Sequence, residues 1–498
     1  MSRQFRDRTA FQRGDRSYEF LPFRFEPFQD GVLLVNDVGE HLVLDTNVFR
    51  RLLNRELDAE STEYKDLKAK HFIWNGDTPS TLRILATKQR TRRSFLDGFV
   101  RLHIFVVSLR CEHSCHYCQV SRVTTNKSQF DMSVETADRA LDLVFRSPAK
   151  TLKIEFQGGE PLLNFELIRH IVLRAEERAE RVGKDIRFVV ATNLALIDDD
   201  ILGFLRDHGM FVSTSLDGPA FIHNKNRPRP ENDSHQRAVD GIRRVRDFLG
   251  PDAVSALMTT SRLSLDHPIE IVDEYVKHGF DHIFLRPISP YGFAIRTQRH
   301  TGYEVDLFIE FYKKALDHII DLNRQGRAMT EVYAQILLTK ILTPFPTGYV
   351  DLQSPAGAAT GVVVYNYDGD VYASDESRML AEMGDQSLRL GNIHADSYED
   401  LFGGELARRL VDESVVESLP GCSDCAFQPY CGADPVENYA TQGSFEGHRP
   451  TSAFHRRNYA LIKHLFGLYY SGDTFVQDLL WSWVQNRSPE DLLRRRTA

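Results

Sequence analysis

Several features that would place this chain elsewhere are scarce or missing. Cysteine is rare, with six in 498 residues. A disulfide framework needs cysteines scattered through a small secreted chain, so that class is excluded. No apolar run approaches ~18–20 residues, and nothing in the sequence is long enough to span a bilayer. Charge of one sign is lacking too: a net −9 makes no case for nucleic acid or a membrane surface as partner. The arginine-rich start, MSRQFRDRTAFQRGDRS, has no apolar h-region and is not read as a secretory signal. It reads as a basic tail, and LLRRRTA at the other end as a second one. The expected compartment is the reducing cytoplasm.

What is present suits a large folded protein. An apolar content of 42% supplies well-packed cores, and 498 residues are too many for one of them. Residues 1–98 read as a small α+β domain: FRFEPF, GVLLVND and HLVLDTN as strands, 47–57 and 62–70 as helices, 71–74 as a short strand. It resembles the peptide-binding domains of peptide-modifying enzymes.

From residue 99 to 325 strands and helices alternate. The strands are HIFVVSL, LKIEF, IRFVVA, FVSTSL, AVSALM and HIFLRP; helical spacing fills 133–146, 164–182, 198–207, 233–248, 268–278 and 302–323. Six such units predict an α/β fold, a parallel sheet curled by right-handed crossovers into a partial (βα)6 barrel. Functional groups are then expected at the C-terminal ends of the strands. Residues 326–498 lose the alternation. VVVYNYDGDVYASD carries a hairpin signal at Asp368, Gly369 and Asp370, and 455–485 returns to helical spacing.

The cysteines fall in two triplets with none left over: Cys111, Cys115, Cys118 and Cys422, Cys425, Cys431. The first is CEHSCHYC, directly after the first barrel strand. Three thiolates from one loop can ligate three irons of a 4Fe–4S cluster and leave the fourth iron open. A zinc site would need a fourth ligand, such as His113 or His116. FQGGEPLL ends the second strand; Thr192 and Asn193 end the third, and Ser215 and Asp217 the fourth.

CEHSCHYC resembles the defining signature of radical S-adenosylmethionine (SAM) enzymes. The resemblance covers 101–325. It implies that the first triplet holds a SAM-binding 4Fe–4S cluster, with Tyr117 near the adenine. Gly158, Gly159, Glu160 and Pro161 match the family's GGEP loop, whose backbone meets the SAM amino group. Thr192, Asn193, Ser215 and Asp217 stand where relatives bind the ribose and carboxylate, and Arg227 is a candidate partner for that carboxylate.

The second triplet, GCSDCAFQPYC, resembles the SPASM domain, which carries auxiliary iron–sulfur clusters. Ser354 and Ser374 stand where that pattern has cysteines, so cysteine supply allows one auxiliary 4Fe–4S cluster, with zinc as the alternative. His448, His455 and Asp434 are candidates for its fourth ligand, with His455 preferred. Related sulfatase-maturing enzymes place a catalytic aspartate where this chain has Asp375. The wording YNYDGDVYASDESRML with PVENYATQG is closest to the His-Xaa-Ser system radical SAM maturases.

The expectation is therefore a peptide-modifying radical SAM oxidoreductase acting on a ribosomally made precursor peptide. It would draw electrons from a flavodoxin- or ferredoxin-type donor and leave a crosslink or other oxidative change. Sulfatase-type maturation and a catalytically silent peptide-binding barrel are the alternatives.

Overall fold

A computed structural model describes residues 18–76, 80–118 and 127–487. The basic start and LLRRRTA lie outside the described residues. Three strands, β1 (Phe23–Phe28), β2 (Gly31–Asn36) and β3 (His41–Asp45), form an antiparallel sheet. Helices Thr46–Asn54 and Thr62–Ala69 follow, close to the expected spans. A further helix, Ser80–Arg92, has no buried residue and left no apolar stripe to read.

The alternating segment forms the expected strands: β4 (Leu102–Ser108), β5 (Thr151–Gly158), β6 (Asp185–Ala191), β7 (Phe211–Ser215), β8 (Val254–Thr259) and β9 (Leu285–Arg286). They lie side by side in chain order, all parallel. Between them run α1 (Val134–Arg146), α2 (Phe165–Val182), α3 (Asp199–Asp207), α4 (Ser234–Leu249) and α5 (Pro268–Lys277); α6 (Val305–Arg324) follows β9. β4 is buried along nearly its whole length, as a strand covered on both faces must be. β5 alternates instead. Leu152, Ile154 and Phe156 face the helices, while Lys153, Glu155 and Gln157 take the opposite face.

The hairpin does not stand apart from the barrel. β10 (Val362–Tyr365) adds to β4 in parallel, and β11 (Asp370–Tyr372) and β12 (Arg389–Asn392) continue the same nine-stranded sheet antiparallel. This extension brings the next helix, α7 (Asp375–Glu382), to the barrel mouth. The main core continues into α8 (Ala453–Tyr469) and α9 (Thr474–Val484), the two helices that fill the expected 455–485 segment.

Candidate active site

The C-terminal ends of β4 to β9 enclose a cavity of about 260 Å³. Cys111, Cys115 and Cys118 line it together with Gly158, Gly159, Thr192, Asn193, Ser215, Arg227 and Asp375. Residues from five barrel strands, β5 to β9, the first loop and α7 thus meet in one space.

The cysteine loop is held from below. Arg110 donates to both oxygens of Asp131 at 2.7 Å, and to the Leu163 carbonyl at 2.8 Å. Ser108 Oγ reaches the same aspartate at 2.7 Å. The Gly-Gly turn locks against this loop: Gly159 N donates to Ser108 O at 2.8 Å and Glu160 N to Arg110 O at 2.7 Å. A Cβ on Gly158 would stand 2.1 Å from Ser108 O, and one on Gly159 2.3 Å from Arg110 O. Glycine is required here by close approach of two backbones.

Glu160 turns away from the cavity. Its carboxylate caps the following turn by accepting from Leu162 N at 3.1 Å, and it also accepts from Thr192 Oγ1 at 2.6 Å and Asn193 N at 2.9 Å. It therefore ties the end of β5 to the end of β6. Burial first, and the nearby Glu112 charge second, push its pKa up to about 8. Pro161 follows it at the first position of a short 3-10 turn and is buried. Asn193 extends toward the cysteine loop, donating to Glu112 Oε1 at 2.7 Å.

Arg227 and Asp217 form a second fixed unit. The guanidinium donates to the two Asp217 oxygens at 3.1 and 3.3 Å. Tyr117 Oη also donates to Asp217, and Arg227 sits 5.3 Å from the Tyr117 ring centroid. Burial raises the Asp217 pKa, but Arg227, His223 and the hydrogen bonds outweigh it and hold the group below its ordinary value. Where the sequence suggested Arg227 for the SAM carboxylate, the structure gives it a carboxylate of the chain. Tyr117 and Arg227 still border the cavity; Asp217 does not.

Sequence reasoning missed the wall residues. Glu155, Gln157, Ser213, Thr259 and Arg286 all line the cavity. The signal was present as polar residues at alternate positions inside strands read only as apolar runs. Asp375 follows Ser374, whose side chain caps α7 by accepting from Ser377 N at 3.2 Å. Burial, with the Glu376 and Glu155 charges adding to it against Arg378, lifts the Asp375 pKa to about 6.

The first triplet suits an iron–sulfur cluster by its donor set. Burial raises the Cys111 thiol far above its usual range and pushes Cys115 up to about 12, so only a strongly cationic group would deprotonate them together. Among the described residues, neither triplet brings three sulfurs within 4.8 Å of one another, the crowding that a single tetrahedral ion requires.

The second triplet lies in a loop before and after the turn Gln428–Tyr430. Lys340, Arg449 and Arg457 pull the Cys431 thiol down against the dominant effect of burial, and such a cationic surround suits an anionic thiolate group. Ser354 Oγ donates to Glu417 and accepts from Val416 N at 3.1 Å, so both serines at the departures from the SPASM pattern are engaged in hydrogen bonds of the fold. His455 stands in the first turn of α8 with its ring 5.8 Å from that of Tyr459. It does not join the three thiols in any group within 4.8 Å. Asp434 caps the helix Pro435–Gln442 and faces a different cavity.

Residues 105–275 match the radical SAM superfamily. A cysteine-type anaerobic sulfatase-maturating enzyme of Clostridium novyi (strain NT) is 22% identical over 337 residues, 65% of this chain and 84% of that protein. The solved structure of native anSMEcpe with bound AdoMet superposes with a TM-score of 0.60 at 19% identity, covering 73% of this chain and 97% of that one. Streptococcus suis SuiB bound to precursor peptide SuiA gives 0.52 at 14% identity, covering 87% and 98%.

Proposed function

From the match of residues 105–275 to the radical SAM superfamily, we infer that this chain is a radical SAM maturase that modifies a side chain of a ribosomally made precursor peptide. The observation that supports this reading is the single cavity in which the first cysteine triplet, the Gly-Gly turn and Asp375 meet. When bound, a 4Fe–4S cluster with SAM supplies the electron for reductive cleavage and hence a 5′-deoxyadenosyl radical able to take hydrogen from an unactivated carbon.

The chain's own residues supply position and charge. The Arg110–Asp131 clamp and the Gly-Gly lock fix the cysteine loop against β5. Tyr117 and Arg227 form a charge-balanced part of the wall, held from behind by Asp217. Asp375 at the mouth is placed to take a proton from the oxidised substrate, and its raised pKa suits a base working near neutral pH. The second triplet, in its cationic surround, would hold one auxiliary cluster able to accept the remaining electron, with a flavodoxin- or ferredoxin-type protein as external donor.

Sulfatase-type maturation is the second reading. The Clostridium relative and the position of Asp375 favour it. No described helix is long and apolar enough to cross a membrane, and the reading places the enzyme in the cytoplasm with its peptide. The test is anaerobic reconstitution with iron and sulfide, then dithionite and SAM. Formation of 5′-deoxyadenosine is expected. Co-expression with the peptide encoded nearest the gene, followed by mass spectrometry, would give the mass change. Absence of 5′-deoxyadenosine from iron-loaded protein would overturn the reading.

A further inference from the structure

Beside the cysteine cavity lies a second one of about 310 Å³. The two adjoin at α7 and β9. Asp375 lines the first and Glu376, the next residue, lines the second, while Arg286 borders both. The second cavity has an apolar and aromatic wall carrying four carboxylates, Asp351, Glu376, Asp434 and Glu437, against two guanidinium groups, Arg286 and Arg457. None of the four carboxylates has an ion pair within 4 Å among the described residues; the hydrogen bonds they accept come from neutral groups. Tyr291 is 2% exposed, lines the same cavity, and its hydroxyl is buried without a partner.

Such a cavity is costly as it stands. The four carboxylates outnumber the two guanidinium groups, and all four pKa values are shifted upward, by burial first, although Arg286 and Arg457 pull Asp351, Glu376 and Glu437 the other way. An orphaned buried hydroxyl adds to the cost. A ligand that brings positive charge and hydrogen-bonding capacity relieves both. The carboxylates do not converge three at a time within 4.8 Å, as a divalent ion would require. They are spread around a space of side-chain size.

We propose that this second cavity is a specificity pocket that receives a cationic side chain, lysine or arginine, of the substrate peptide, and so sets the neighbouring residue against the cysteine cavity. The proposal rests on the peptide-maturase reading and names which peptides that site would accept. The apolar and aromatic wall would take the aliphatic stem, and the carboxylates would meet the charged head.

The test is titration of the reconstituted, SAM-loaded protein with capped Ala/Ser heptapeptides that differ only at the central residue: lysine, norleucine or glutamate. The lysine peptide is expected to bind roughly tenfold or more tightly than the norleucine peptide, and the glutamate peptide weakest. Glu376→Gln with Glu437→Gln should bring lysine down to the norleucine level, and Tyr291→Phe should weaken lysine binding a few-fold. Equal binding of lysine and norleucine, or no measurable binding of the lysine peptide, overturns the pocket, even where 5′-deoxyadenosine forms normally. Lysine-selective binding in a protein that makes no 5′-deoxyadenosine would keep the pocket and remove the maturase reading. Strong displacement of the lysine peptide by calcium or magnesium at low concentration would mark a cation site and also overturn the proposal.

Discussion

Arg227 and Asp217 are joined by a two-point ion pair at the edge of the cysteine cavity, with Asp217 fully buried. Tyr117 hydroxyl and Thr259 N donate to the same carboxylate, so one aspartate ties together the first loop, the end of β7 and the end of β8. Removing one member of a buried pair leaves an uncompensated charge. Arg227→Met is expected to destabilise the protein by about 3–5 kcal/mol, read from urea denaturation, and Arg227→Lys to recover part of that. A loss of SAM affinity at unchanged stability would instead give Arg227 to the cofactor.

The Gly-Gly turn makes a different prediction. Gly159→Ala would place a Cβ 2.3 Å from Arg110 O, with further backbone atoms close behind. Neither backbone can yield without moving the cysteine loop. The variant is expected to lose about 1–3 kcal/mol and to load less iron at the first site. Normal iron content and an unchanged melting temperature would show that the turn has slack.

Much of the barrel was legible because its strands are short apolar runs punctuated by turn residues, and its helices carry clear apolar stripes. The cysteine loop and GGEP were legible because their spacing is dictated by chemistry. The roles of Glu160 and Arg227 were not. A sequence shows a carboxylate at a strand end, but not that Thr192 and Asn193 of the next strand will consume it. The joining of β10 to β4 was also hidden, since a hairpin motif does not say which sheet it extends. That pairing is what delivers Asp375 to the site.

Cys118→Ala should abolish 5′-deoxyadenosine formation and lower iron by about four per chain, since two thiolates from the first loop cannot hold a 4Fe–4S cluster with an open iron. Iron and sulfide assays with product chromatography check both. Cleavage of SAM at the unaltered rate would defeat the assignment of the first triplet.

Asp375 gives a pH dependence with a definite sign. A base must be ionised, and with its pKa lifted to about 6 the ionised form is lost as pH falls through that value. Peptide product should therefore decline on the acid side with an apparent limb near 6. Glu155→Gln removes one of the charges that raise the Asp375 pKa and should move the limb to lower pH. Asp375→Asn should abolish the limb and lower product formation by ~10²–10⁴-fold while SAM is still cleaved. A limb unmoved by either substitution would assign the base elsewhere.

The number of clusters tests the second triplet. Six cysteines supply two three-thiolate sites. Ser354 and Ser374, at the positions where further thiolates would be needed, are held by Glu417 and by the cap of α7. Two 4Fe–4S clusters predict about eight irons per chain after anaerobic reconstitution; zinc at the second site predicts about four irons with one zinc. The separation of the sulfurs favours the iron count. Lys340 tests the cationic surround of Cys431 directly. It donates to the Cys431 carbonyl at 3.1 Å, and burial lowers its pKa to about 7. Lys340→Met should lower the auxiliary potential, because the reduced and more negative cluster loses more stabilisation than the oxidised one. His455→Ala should change occupancy or potential at the second site if the ring swings from Tyr459 to supply the fourth ligand, and leave both untouched if it stays. Iron near twelve would defeat the two-cluster count, and four irons with one zinc would defeat the auxiliary cluster while leaving the first site intact.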